Sequence, residues 1–168
     1  MKHNFDAYFE YYVNQVQGMS IGESLAKSLE ETLELFGNMR EDLGDYAYAD
    51  GKWTVKQLLA HLVDTERIFC NRALRFARND NTELPGYDHD MYVNYDNAKN
   101  RSLHDVVAEY KAVRIATKYL FNSFSEEMLD RKGKANGLSL NVGAIGLIIG
   151  GHNRHHLDVI KERYLSNE

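Results

Sequence analysis

Gly150-Gly151-His152-Asn153-Arg154-His155-His156 is the stretch on which the reading of this chain turns. It lies inside Val142 to Leu165, a run that otherwise reads as one helix. His152 and His156 are spaced i, i+4, which stacks two side chains on one helix face with Cβ atoms about 5–6 Å apart. Two imidazoles so placed can share a metal ion, as in His-x-x-x-His zinc sites. Two ligands hold a metal weakly, so a third is sought elsewhere. His61, in Leu59-Ala60-His61-Leu62-Val63-Asp64, stands on another strongly helical run and is the best candidate. The expectation is a helix bundle with a three-histidine site between two helices.

Working outward, the fourth long helix begins near Asn141, with Val142, Ile145, Ile149, His152, His156 and Arg163 facing inward. The helix carrying His61 opens at Trp53-Thr54-Val55-Lys56-Gln57, where Thr54 and Gln57 form a capping box, and runs to Arg78. Its inward stripe reads Leu58, His61, Thr65, Ile68 and Arg72. Before it, Ser20 and Glu23 make a second capping box for a helix over Ile21 to Met39. Phe5 to Val16 has helical spacing and predicts a short first helix that covers one end of the core. After it, Asn79 to Asp88 is a connection with Pro85 and Gly86, and Asp90 to Tyr95 is one helical turn. Ser102 caps a third long helix with Val106, Tyr110, Val113, Thr117 and Leu120 inward, and Ser125 caps a short turn. Arg131 to Asn136 reads as polar and turn-like. The result is an all-α chain, a four-helix bundle with a short additional N-terminal helix, forming one domain over residues 1–168.

Composition agrees. A chain of 168 residues can bury about 70% of its unfolded surface. Hydrophobic residues at 43% and charged residues at 27% are ordinary for a globular protein. A single Pro suits long helices, and a single Cys excludes an internal disulfide and fits a reducing compartment. No apolar run approaches the roughly 18 residues of a membrane span, and Met1-Lys2-His3-Asn4-Phe5-Asp6 lacks a signal peptide's apolar core. A net charge of −5 argues against a general nucleic-acid binder. These features point to a cytoplasmic protein with neither a nucleic-acid nor a membrane partner.

Each site residue has a plainer reading beside the chemical one. One histidine on an apolar face is usually a hydrogen-bonded core residue. Three in one layer would leave several polar atoms to satisfy without a metal or acidic partner. Three neutral nitrogen ligands suit a divalent late transition metal and leave positions for water and substrate. His155 lies about 100° around the helix from His156 and reads as a residue beside the site or at the surface. The alternative, in which His155 replaces one of the ligands, stays open. Gly143, Gly146, Gly150 and Gly151 fit either a close helix crossing or room for a ligand beside His152. Arg72 on the inward stripe needs an anionic partner, which could be Glu66, another core acid or a substrate carboxylate. Cys70 has no histidine at helical spacing and reads as core packing.

The chain resembles the DinB-like superfamily, which includes the bacillithiol S-transferases. The resemblance is carried by Lys52 to Gln57 with Leu59 to Arg67, by Arg72 to Arg78, by Leu84-Pro85-Gly86-Tyr87-Asp88, and by Ala144 to Tyr164 with Gly151-His152 and His155-His156. It implies a four-helix bundle, a bacterial protein, a frequent homodimer, and a divalent metal such as zinc or nickel on His61, His152 and His156. It further implies a metal-dependent enzyme, either a thiol S-transferase using a low-molecular-weight thiol or a hydrolase, acting on a small-molecule substrate. In that reading Arg72 orients the substrate. A non-catalytic metal- or small-molecule-binding protein of the stress response is the alternative.

Overall fold

The computed structural model describes residues 5–165. Four long helices form the bundle: α2 (Ile21–Gly37), α3 (Val55–Ala77), α5 (Leu103–Asn122) and α7 (Val142–Val159). Around them lie short helices α1 (Glu10–Asn14), α4 (His89–Tyr95) and α6 (Glu126–Asp130). A hairpin, β1 (Lys132–Ala135) and β2 (Leu138–Asn141), precedes α7. The capping boxes expected at Ser20/Glu23 and Thr54/Gln57 are both present, so the first turns of α2 and α3 have their amide donors satisfied. Asn141 caps α7 by accepting from the Ala144 amide.

The packing order differs from the chain order. α2 packs on α5 and α7, and α3 packs on the same two helices. Helices consecutive in the chain, α2 then α3 and α5 then α7, therefore stand on the two diagonals of the bundle. Diagonal partners need connections that cross an end of the bundle, which accounts for the long segments between them. The core falls into two apolar clusters. One gathers Phe69, Phe76, Phe121, Ile145 and Ile148 near the hairpin, and the other Leu58, Leu62, Val106, Leu157 and Ile160.

Three sequence expectations require correction. Residues 131–136 are not a simple turn, because Lys132–Ala135 pairs antiparallel with Leu138–Asn141. Asn136 and Gly137 form the two-residue loop, with φ of 54° and 73°. An Asn-Gly pair with both φ positive is the turn that matches strand twist, so the hairpin signal was in the sequence. At the N-terminus, Ala7–Phe9 is a 3-10 turn that runs into α1. A 3-10 turn has three residues per turn, which shifts the phase of the stripe. Phe9 and Val16 are buried, while Tyr8 is 65% exposed. At the other end, Ile160–Tyr164 widens into a π turn. That rotates Arg163 outward, where its guanidinium lies 5.8 Å from the Tyr48 ring centre.

The glycines of α7 mark close crossings. A Cβ on Gly150 would strike the Ser24 hydroxyl of α2, and one on Gly151 would strike the backbone carbonyl of Tyr12 in α1. Gly146 meets Ile21 and Phe121 in the same way. Of the two readings open from sequence, the space at these three positions is taken by neighbouring helices.

Candidate metal centre

α3 and α7 lie side by side, and each turns its histidines toward the other. The Nε2 atoms of His61 and His152 are 3.2 Å apart, and those of His152 and His156 are 3.0 Å apart. Each of the three residues offers one nitrogen, and these nitrogens all lie within 4.8 Å of one another. Nitrogens held about 2.0–2.1 Å from one ion at angles of about 90–110° stand about 2.8–3.4 Å apart. The His61–His152 and His152–His156 separations fall within that span, and the third pair lies within 4.8 Å.

The donors are in the right protonation state. Burial lowers the pKa of His61 to about 4, with a further push from His89. Burial and the neighbouring histidines hold His152 and His156 well below the usual imidazole value. All three are therefore neutral at pH 7, as metal ligation requires. Nδ1 of His156 is buried with no hydrogen-bond partner among the described residues. Nδ1 of His61 lies 3.5 Å from the Thr65 hydroxyl, which is 2.6 Å from the Tyr87 hydroxyl. The Trp53 ring covers His61 at 4.9 Å, and the Tyr12 ring meets His152 edge-on at 5.3 Å. Facing neutral nitrogens with few other partners are costly alone and suit a shared cation.

A cavity of about 220 Å³ opens beside these nitrogens. His61, His152 and His156 line it, as do Thr65, Arg72 and Tyr87. His155 also borders the cavity but stands outside the three-nitrogen group. Its Nδ1 is 3.1 Å from the Tyr11 hydroxyl.

Arg72 is 6% exposed. It donates to the Pro85 carbonyl at 3.2 Å, and its guanidinium lies 5.0 Å from the Phe69 ring centre. Glu66 is not its partner. Glu66 is buried against Arg114, whose Nε and Nη2 donate to the two carboxylate oxygens at 2.8 Å each. The same guanidinium donates to Asn153 Oδ1 at 3.1 Å and to the Leu25 carbonyl at 3.3 Å. It also reaches the Ser28 hydroxyl. Tyr110 donates to Asn153 Oδ1 at 2.7 Å, and Asn153 Nδ2 donates to Thr32 Oγ1 at 3.0 Å. A buried polar layer thus joins all four long helices directly behind His152. Sequence reading missed Arg114 and Asn153, although Arg114 follows Tyr110 by four residues on the same stripe. Tyr87 was also missed, because its place on a loop gives it no periodicity. Cys70 is a packing residue as expected: its sulfur contacts Thr117 Oγ1 at 3.2 Å, and burial raises its pKa to about 11.

Four long helices with three convergent imidazoles at a cavity define a four-helix bundle with a candidate metal centre. The chain belongs to the DinB superfamily, whose family model matches residues 24–160. Among solved structures it is similar to YfiT from Bacillus subtilis, described as a probable metal-dependent hydrolase with an unusual four-helix bundle topology. That likeness has a TM-score of 0.65 at 20% identity and covers 96% of this chain and 89% of YfiT, which establishes the shared fold. No curated protein sequence matches this one. Among the described residues, no helix is long and apolar enough to cross a membrane.

Proposed function

We propose that this protein is a metal-dependent hydrolase of a small-molecule substrate, with one divalent ion, zinc or nickel, on Nε2 of His61, His152 and His156. The observation that carries the reading is the convergence of three neutral imidazoles on the wall of a cavity of about 220 Å³. An ion held there supplies Lewis acidity, which polarises a carbonyl and makes water a competent nucleophile near neutral pH. The protein's own residues do the rest. Thr65 steadies the His61 ring through its far nitrogen, an arrangement that fixes ligand orientation. Trp53, Tyr12 and Phe69 form apolar walls that limit water around the reacting group. The Tyr87 hydroxyl, paired with Thr65, stands where it can donate a hydrogen bond to a substrate oxygen.

Thiol transfer is the competing reading, favoured by the resemblance to the DinB-like superfamily, which includes the bacillithiol S-transferases. Its thiol would have to come from a low-molecular-weight cosubstrate, since the chain's single cysteine is partly buried and protonated. One assay separates the two. The zinc- and nickel-loaded protein is offered esters, amides and other electrophiles, with and without added thiols. Turnover without thiol that is lost on chelation and in His152→Ala supports hydrolysis. Turnover only with thiol moves the assignment to transfer. No turnover of any substrate with either metal leaves a non-catalytic metal-binding protein and ends the enzyme reading.

A further inference from the structure

Among the described residues the bundle buries two arginines, and only one has its charge answered there. Arg114 is 1% exposed and holds a bidentate carboxylate together with a side-chain amide oxygen, a hydroxyl and a backbone carbonyl. Arg72 is 6% exposed, and its one hydrogen bond among the described residues goes to the Pro85 carbonyl. Other arginines of α3 have found acids: Arg67 pairs with Glu109 at 2.7 Å and Arg75 with Asp80 at 2.6 Å. A buried guanidinium without a counter-charge is costly, and it has five N–H donors to satisfy. Arg72 lines the same cavity as the three histidines and also borders an open surface groove with Pro85 and Tyr92, so its unanswered charge stands at the edge of the space in which a substrate would lie.

The geometry points to a recognition subsite: Arg72 anchors the carboxylate of a small organic acid whose opposite end lies at His61, His152 and His156. This rests on reading the cavity as the active site. The flat, forked guanidinium matches a carboxylate with two parallel hydrogen bonds. The same cavity is lined by Thr65 and Tyr87, whose paired hydroxyls are neutral donors and acceptors. One cation with neutral neighbours suits a single negative charge better than a doubly charged phosphate. The cavity volume of about 220 Å³ lies below the roughly 300–1,000 Å³ of pockets that take drug-sized ligands. The acid is therefore small. The Phe69 ring against the guanidinium supplies an apolar wall next to the anchoring point.

The test compares benzoate with its neutral analogue benzamide. Trp53 is the single tryptophan and borders the cavity, so its fluorescence reports occupancy, with calorimetry alongside. Wild-type protein should prefer benzoate by about ten- to a hundredfold, the worth of a charge-assisted hydrogen-bond pair. Arg72→Gln should remove that preference, and Arg72→Lys should keep part of it by retaining the charge without the fork. Chelating the metal should leave the preference in place, because the guanidinium supplies it. Equal binding of the two probes, or no saturable binding at millimolar benzoate, overturns the proposal. So does a preference that survives in Arg72→Gln but disappears on chelation or in His156→Ala, which would assign the carboxylate to the ion. Inorganic phosphate that competes as well as benzoate overturns the monocarboxylate assignment. A chain that binds no metal at all yet prefers benzoate through Arg72 keeps this subsite and removes the hydrolase reading.

Discussion

Arg114 on α5 and Glu66 on α3 meet in a two-pronged ion pair at the centre of the bundle, with side chains 1% and 2% exposed. Breaking one side of such a pair leaves a buried charge alone, which costs about 3–5 kcal/mol, whereas replacing both sides with apolar groups costs far less. Arg114→Met is therefore expected to lower unfolding stability by about that amount in urea. Glu66→Met with Arg114→Met should lose clearly less than the sum of the two single changes. Additive losses would mean that the two charges do not stabilise each other.

Purified protein should carry about one divalent metal per chain, lost in His61→Ala and in His156→Ala and kept in His155→Ala. His155 is held by the Tyr11 hydroxyl and stands outside the three-nitrogen group. Elemental analysis decides this. Full metal content in both ligand variants would end the three-histidine assignment, and loss of metal in His155→Ala alone would move the site to the other face.

Two glycine-to-alanine changes should go in opposite directions. Gly22 in α2 has nothing within 4 Å of the added Cβ, so Gly22→Ala should stabilise by about 0.4–1 kcal/mol through the unfolded chain. Gly151→Ala places its methyl against the Tyr12 carbonyl, so it should destabilise by about 1–3 kcal/mol and loosen α1. Thermal melts of the two variants give the signs directly.

Cys70 supplies a pH dependence. Its pKa rises from 9.0 to about 11 on folding because burial disfavours the thiolate. At pH 8.5 ionisation alone makes the native thiol roughly 80-fold less reactive toward iodoacetamide than an unfolded one. The linkage follows from the same shift. The unfolded thiol loses its proton first, so stability from this group is full below pH 9.0 and falls as pH rises toward about 11. Cys70→Ala should flatten that part of the stability profile. Fast alkylation of the native protein at pH 8.5 would show that the thiol is not protected.

Much of this molecule is legible in its sequence. The helix starts at Ser20, Thr54, Ser102 and Asn141 are written in short-range capping chemistry, and the i, i+4 histidines in helical geometry. His61 could be paired with them because it lies on an apolar stripe of its own. The Glu66–Arg114 pair was hidden for a physical reason: its members are 48 residues apart on different helices, and periodicity reports faces rather than partners. The glycines of α7 had two readings because a missing side chain does not say what fills the space. Only the neighbouring backbone of Tyr12 and side chain of Ser24 could separate them.

The diagonal arrangement also sets an order of events in time. His61 and His152 are 91 residues apart, and α7 is made after the other three helices of the bundle. α3 and α5 follow one another in the chain and pack together, so they can form a hairpin of helices early, when loop closure costs least. That hairpin contains one histidine of the three. A ligand shared by all three can be captured only after α7 docks, so it binds the finished fold and not its precursors. Such a ligand slows unfolding and leaves the first steps of folding at their own pace.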